Sequence, residues 1–451
     1  MMEKYIPNIP ETDKQRVVIV GAGFAGLKLL RKLMGKEFQV VLLDKNNFHQ
    51  FQPLLYQVAT AGLEPSAISF PIRKILQKES DVHFRIAELE KVDPEEKEVV
   101  TNIGRLKYDI LVLAAGAKTN FFGKKNVERH TLSMKTASDS ILIRNTILEN
   151  FEKALLEPDP ENMGKYLNIV LVGGGPTGVE LAGALAEMKK YIFPKDYPEL
   201  DLSKMRIVLF EASSRLLLGM SQKAGDKSYE YLERLGVEVR LNTGVEDYDG
   251  LNLKLSDGNT LESKMVIWAA GVASSPIDGF DSEVFAKANR ISVDRFNRVL
   301  GYKDIYAVGD VAFMKTPKYP DGHPQVAQTA IQQANMLASN LKRVNKGKET
   351  REFEYIDKGS MATIGRNLAV ADLPFAKLKG FIAWLLWSFV HLMTIVGVKN
   401  RLFIFLNWTV NYFTYDQSLR VLIKPKKYNT DESGAASSMY GHGKSGTAPT
   451  G

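Results

Sequence analysis

Two carboxylates in this chain end apolar runs that travel with a glycine-rich turn. Asp44 closes Val40-Val41-Leu42-Leu43, and Glu211 closes Ile207-Val208-Leu209-Phe210. The first is preceded by Gly21-Ala22-Gly23-Phe24-Ala25-Gly26, the second by Gly173-Gly174-Gly175-Pro176-Thr177-Gly178. The chemistry of such a unit is anion binding. The first glycine permits a tight turn, the second admits a pyrophosphate against the backbone, and the third lets helix pack on strand. The acid then accepts a ribose hydroxyl.

The elements that must hold these residues are readable beside them. Val17-Val18-Ile19-Val20 predicts a buried parallel strand before the first glycine turn, and Leu27 to Leu33 a helix after it. Asn168 to Val172 and Val179 to Ala186 repeat that pattern. Tyr108 to Leu113 runs into Ala114-Ala115-Gly116, and Met265 to Trp268 into Ala269-Ala270-Gly271. Small residues at a strand's carboxyl end allow a ligand close to the backbone. Two copies of a four-part pattern predict an α/β fold with two Rossmann-like dinucleotide-binding domains. Runs at residues 82–85 and 98–101 read together as a small antiparallel excursion.

A third marker, Val308-Gly309-Asp310, precedes a helical run beginning near Ala327 and Gln328. It reads as the returning second piece of the first domain. Asp310 would then reach the ribityl and phosphate side of a flavin. The helix N-terminus would face the flavin pyrimidine, where reduction builds negative charge. One dinucleotide site binds; two facing sites pass hydride from a nicotinamide to a flavin. This predicts noncovalent FAD, held by Gly21, Gly23, Phe24, Ala25, Gly26, Asp44, Lys45, Pro53, Ala115, Gly116, Gly309, Asp310, Ala327 and Gln328. It predicts NADH as substrate on Gly173, Gly175, Thr177, Gly178, Glu211, Ala270 and Gly271. Glu211 would repel a 2′-phosphate and favour NADH over NADPH, although Arg215 could pair one.

Composition narrows the chemistry. The chain has 451 residues, a net charge of +7 and no cysteine. Thiol nucleophiles, disulfides and Cys-held clusters are therefore excluded. The charge is mild and the basic residues are not interleaved with aromatics, so no nucleic-acid partner is expected. The first ten residues contain no apolar signal core, which predicts a dinucleotide site facing the cytoplasm. No metal is called for.

Taken together, His49-x-Phe51-x-Pro53-Leu54-Leu55-Tyr56-Gln57, Gly173 to Glu180, and Ala327-Gln328-Thr329-Ala330-Ile331-Gln332 resemble the type II NADH dehydrogenases. These are single-subunit NADH:quinone oxidoreductases within the two-dinucleotide-binding-domain flavoproteins. The resemblance implies a non-pumping enzyme that uses a membrane quinone, menaquinone or ubiquinone, on the cytoplasmic face. It assigns catalytic roles to Glu180 beside the nicotinamide and to Gln328 and Gln332 lining the quinone site. Two other readings stay open on the residues alone: a reductase of a protein acceptor such as ferredoxin, and a redox-sensing protein without turnover. A homodimer is compatible with all three.

Residues 381–398 and 402–413 are apolar and aromatic, joined by Lys399-Asn400-Arg401. A buried core helix, a membrane span and an interfacial helical pair all fit the length; the basic joint favours the last, a monotopic membrane-associated segment. Ser388, His391 and Thr394 form a polar strip, with His391 expected to be structural, and the tryptophans are expected at the membrane interface. The expected organisation is residues 1–125 and 286–345 for the flavin, 126–285 for NADH, 346–425 for membrane association and a disordered tail from 426.

Overall fold

A computed structural model describes residues 4–35, 37–77, 79–415 and 419–422, so the expected tail lies outside the described residues. Two five-stranded parallel sheets carry the architecture. In the first, the strand order is Ile305–Ala307, Ile110–Leu113, Arg16–Val20, Gln39–Asp44 and Val82–Ile86. In the second, it is Leu132–Ser133, Met265–Trp268, Ile169–Val172, Ile207–Phe210 and Glu238–Arg240. The two sheets match position by position. The strand before each glycine turn is central, flanked by the strand that ends in an acid and the strand that ends in Ala-Ala-Gly. Both central strands are buried along their whole length, as parallel strands covered on two faces must be. The strand Ile305–Ala307 returns to the first sheet from beyond the second.

One expectation is corrected. Val82–Ile86 is not part of an antiparallel excursion; it pairs parallel with Gln39–Asp44 at the sheet edge. Its alternation of Val82 and Phe84 with His83 and Arg85 is that of an edge strand with one covered face. The antiparallel excursion is a separate three-stranded sheet of Leu89–Asp93, Glu98–Thr101 and Gly104–Lys107.

After the glutamine-rich helix Ala327–Val344, the chain forms an antiparallel sheet of Ser360–Gly365, Leu368–Asp372 and Lys377–Lys379. Two C-terminal helices follow, Gly380–Thr394 and Val398–Thr414. A single apolar cluster joins Leu54 and Val58 of the loop after the first ribose acid, Val179 and Leu185 of the second glycine-turn helix, and Trp387 and Ile404 of the C-terminal pair. The helix Pro176–Tyr191 and the antiparallel sheet approach so closely that a Cβ at Gly183 would collide with the carbonyl of Ile364.

The C-terminal pair buries one side in that cluster and leaves apolar faces exposed. Ile382, Leu385, Phe389 and Met393 recur on one face of the first helix and are exposed, with Phe389 at 61%. Leu402, Leu406, Val410 and Phe413 do the same on the second. No helix among the described residues is long and apolar enough to cross a membrane. The tryptophans depart from the interfacial expectation: Trp387 is buried, and the Trp408 indole N–H donates to Gln57 Oε1 at 2.7 Å. In the polar strip, Ser388 and Thr394 bond carbonyls one turn back, which satisfies them inside the helix.

Because Gly183 sets the approach of two elements, Gly183→Ala is expected to cost about 1–3 kcal/mol by overpacking. Thermal denaturation should show a Tm lowered by several degrees; an unchanged Tm would show that the sheet can step back freely.

Candidate functional site

A cavity of about 670 Å³ opens along the carboxyl ends of the first sheet's strands. The first glycine turn forms its floor. Gly21 has φ of +102°, and the side chains that Gly21 and Gly26 lack would strike the backbone of Ala114 and of Gly21 respectively. Gly23 differs: a Cβ there would meet nothing within 4 Å, so the middle of the turn is left open to a ligand. The helix Phe24–Leu33 starts at this point with no side-chain cap, and its first N–H groups face the opening. Asp44 closes the turn from the next strand. Its carboxylate accepts the Ala22 N–H at 2.6 Å and the Asn46 N–H at 2.7 Å. Burial raises its pKa, opposed by those two N–H groups and Lys45. His49 supports the same turn through Nδ1, 2.8 Å from the Ala22 carbonyl, and burial lowers its pKa.

The middle of the cavity carries Asp310. Burial raises its pKa, while Lys135 and Arg290 hold it down. Its turn is fixed by Gln333, whose Oε1 accepts the Gly309 N–H at 2.7 Å. Beside it, Ala327 begins the helix Ala327–Val344, again with no side-chain cap. Lys135 lines the opposite wall and precedes the capping box of Thr136 and Asp139.

The far end is built from three parts of the chain. Tyr56 comes from the loop after the first ribose acid, Glu180 from the second glycine-turn helix, and Met361 and His391 from the C-terminal region. Glu180 is 8% exposed, and burial pushes its pKa up to about 8. The Thr363 N–H, 3.4 Å from Oε1, and the nearby Trp387 indole, which stands outside hydrogen-bond geometry, act against that rise. A pKa near 8 favours the protonated form of Glu180 at neutral pH. His391 is its opposite. Burial lowers its pKa to about 4, and Nδ1 pairs with the Trp387 carbonyl at 2.8 Å. The pairing makes Nδ1 the donor and leaves Nε2 as an acceptor.

Of the residues expected around a flavin, Gly21, Gly23, Phe24, Ala25, Asp44, Lys45, Pro53, Ala115, Gly116, Gly309, Asp310 and Ala327 line this cavity. Gly26 lies behind the turn as its packing glycine. Gln328 and Gln332 are not among the residues that line this cavity; both carboxamides bond the extended segment before the antiparallel sheet. Gln328 donates to the Gly359 carbonyl at 2.8 Å and accepts the Lys358 N–H at 3.2 Å. Gln332 donates to the Ile356 carbonyl at 2.8 Å and accepts its N–H at 3.0 Å. The i, i+4 spacing puts them on one helix face, where their carboxamides bond the backbone of that segment. Sequence reading passed over Lys135, Thr136, Met361 and Gln333. Only Thr136 carried a signal, the capping box with Asp139.

The second glycine turn repeats the first. Gly173 has φ of +113°, Gly178 packs against its carbonyl, and Gly175 stays open. Glu211 accepts the Gly174 N–H at 2.6 Å and the Ser213 N–H at 2.7 Å, which aims it at the turn. Arg215 is committed elsewhere: its guanidinium donates to the carbonyls of Leu217, Leu218, Met220 and Ser221. Ala270 holds the Trp268 indole N–H through its carbonyl, and Gly271, at φ of +77°, faces the Phe122 ring. Thr177 and Glu180 reach from this unit into the large cavity, so the two glycine-turn units meet there.

Comparison with known proteins agrees with this geometry. The family model described as pyridine nucleotide-disulphide oxidoreductase matches residues 15–334, and the NDH2 C-terminal domain matches residues 358–415. The type II NADH:quinone oxidoreductase Ndh of Mycobacterium tuberculosis is 36% identical over 90% of each chain, and NdhA of the same organism is 35% identical over 88% of this chain and 87% of its own. The fold resembles NDH2 from Plasmodium falciparum in complex with NADH, with a TM-score of 0.84 over 91% of this chain and 100% of that one, at 24% identity. With no cysteine in either nucleotide unit, the disulphide branch of the superfamily is closed to it, and the chain belongs to the type II NADH:quinone oxidoreductase family.

Proposed function

We propose that this chain holds FAD noncovalently in the large cavity, binds NADH on the second glycine turn, and reduces a membrane quinone at the end where Glu180 and Tyr56 lie. The observation that carries the reading is the pair of open glycine turns whose sites meet at Glu180. The open cradle at Gly23, the uncapped helix starts at Gly23 and Val326, and Asp44 fit a flavin dinucleotide. Residues 1–125 and 286–345 form the flavin portion in this reading, 126–285 the NADH portion and 346–425 the membrane-association portion.

When bound, the flavin supplies a two-electron carrier between NADH and quinone. This chain's residues do the rest. Asp44 accepts ribose hydroxyls and the two helix N-termini stabilise the anionic ends. Asp310 and Lys135 set the charge along the middle of the cavity. Glu211 accepts the NADH ribose hydroxyls and leaves no room for a 2′-phosphate charge. Glu180, protonated at neutral pH, offers a proton where quinol forms. Gln328 and Gln332 act as positioning residues: they hold the segment that delivers Met361 to the cavity and the Thr363 N–H to Glu180. The exposed apolar faces of the C-terminal helices, with Lys377, Lys379 and Lys399 close by, suit a monotopic dock on an anionic membrane surface at the cytoplasmic face. That dock brings a lipid-soluble acceptor to the Glu180 end.

Three outcomes are expected. Stopped-flow flavin reduction should be about tenfold or more slower in kcat/KM with NADPH than with NADH, because Glu211 is in place and Arg215 is committed; equal efficiency sinks the assignment of Glu211. In wild type, the rate of flavin reoxidation by a short-chain quinone should fall as pH rises through about 8, as Glu180 loses its proton. Glu180→Gln should retain flavin, slow that step and lose the inflection; an unaltered profile rules the acid out. Leu385→Glu combined with Phe389→Glu should abolish co-sedimentation with anionic vesicles while leaving reduction of a water-soluble quinone near wild type; continued pelleting would put the membrane contact elsewhere.

A further inference from the structure

The net reaction of NADH with a quinone consumes one proton: NADH plus H⁺ plus quinone gives NAD⁺ and quinol. The hydride carries two electrons and one hydrogen, so the second hydrogen of the quinol must come from water. Glu180 can hand over that proton once per turnover, but it is buried and must be refilled. On the proposed quinone-reducing reading, the route of refilling is a question the rest of the molecule can answer.

A second, smaller cavity of about 130 Å³ begins at Glu180. It has Glu180 and Tyr56 in common with the large cavity. Its other end is marked by a second acid on the same helix. Glu187 lies seven residues after Glu180, two turns on, and so shares its face of Pro176–Tyr191. Between them the wall carries Gln57, Thr60 and Ser388. The Thr60 and Ser388 hydroxyls spend their protons on carbonyls one turn back, which leaves oxygen lone pairs to accept from water. The volume accommodates several waters, and the wall supplies the polar partners that buried water requires. Glu187 as a residue is half-buried where Glu180 is buried, so this end of the cavity lies nearer the surface, although the Glu187 carboxyl itself is largely desolvated.

The groups facing Glu187 come from each element packed on it. Arg366, from the antiparallel sheet's turn, donates its backbone N–H to Oε1 at 2.5 Å and lends a positive charge. Tyr56 faces it from the loop helix, Tyr412 lines the cavity from the second C-terminal helix, and Glu180 lies along its own helix. Arg366 in turn donates to the carbonyls of Asn411 and Tyr412 at 2.8 and 2.7 Å, so its guanidinium is held by the last turn of that helix. Burial raises the pKa of Glu187, while Arg366 restrains the rise.

We propose that Glu187 is the outer station of a proton relay that refills Glu180 through the water-holding cavity between them. The proton enters from solvent at Glu187, crosses along waters bonded to the Thr60 and Ser388 oxygens, and restores the Glu180 carboxyl after each quinol leaves. No electron moves along this route, and no co-reactant beyond water is needed. A hydrophobic tunnel to the membrane would not need a carboxyl at this position. A purely structural acceptor for the Arg366 N–H would not need one that ionises.

The test uses the flavin-loaded full chain with Glu187→Gln, Glu187→Ala and Glu180→Gln. Glutamine keeps an oxygen for the Arg366 N–H but carries no proton. Glu187→Gln is expected to retain the wild-type Tm and rate of flavin reduction by NADH. It should slow reoxidation by a short-chain quinone about tenfold, less than the roughly 10²–10⁴-fold of a direct general acid because Glu187 only refills Glu180, and enlarge the solvent deuterium isotope effect on that step. The pH-difference infrared spectrum should lose one protonated-carboxyl band. That spectrum is a readout independent of turnover. A Glu187→Gln protein with wild-type reoxidation and isotope effect overturns the relay, as does one whose defect appears only in Glu187→Ala, which would mark a structural role. A wild type that passes no electrons to quinone overturns the relay together with the reading it rests on, whereas quinone turnover sensitive to Glu180→Gln but indifferent to Glu187→Gln overturns the relay alone.

Discussion

The burial of one carboxyl, Glu180, is the constraint on which this structure turns. A pKa raised from the ordinary glutamate range to about 8 represents about 5 kcal/mol against the charged form. No single element imposes that. The second glycine-turn helix supplies the side chain, the loop helix brings Tyr56 against it, the antiparallel sheet brings Thr363, and the first C-terminal helix brings Trp387. Each takes bulk solvent away from the carboxyl, and only Thr363 gives back a hydrogen bond. A carboxyl that favours its protonated form is thus a product of assembly: loosen one of the four and bulk solvent returns to it.

Close approach is what makes the assembly possible, and missing side chains provide it. Gly183 lets the helix bearing Glu180 touch the backbone of Ile364. Gly21 and Gly173 let their turns fold under the Ala-Ala-Gly strands. In contrast, the space at Gly23 and Gly175 is kept empty by the fold, since nothing lies within 4 Å of where a Cβ would be. The same residue type therefore does two jobs, packing in one place and reserving room for an anion in another, and surroundings alone distinguish them.

The glutamine motif shows how a functional pattern can act at one remove. Gln328 and Gln332 sit on the predicted face, yet each pairs with both backbone groups of the segment at residues 356–359. Such pairing fixes the entry into the antiparallel sheet, and through it the positions of Met361 and Thr363. The C-terminal helices are tied to the redox end by similar side-chain bonds. Trp408 holds Gln57, and Asn400 donates to the carbonyl of Ala67 at 2.9 Å. The apolar faces turned to solvent and the acid buried beneath them belong to one connected body of packing.

What the sequence determined by itself was everything that depends on local spacing. Both glycine turns, both strand-ending acids, the strands feeding them, the return at Asp310 and the two apolar C-terminal runs were legible, because each is written within about 20 consecutive residues and obeys strand or helix periodicity. The absence of cysteine closed the thiol chemistries without any structure. Only the tertiary structure decided where Val82–Ile86 pairs, which backbone groups the paired glutamines bond, that Arg215 is occupied by four carbonyls, and that Trp387 and Trp408 turn inward. It alone brought Lys135, Met361 and His391 into the cavity and gave Glu187 a place beside Glu180. The physical reason is common to all of these. Solvation, pKa and the commitment of a polar group depend on what lies across the molecule, and residues as distant as Glu180 and Thr363 meet only when the separate sheets and helices pack.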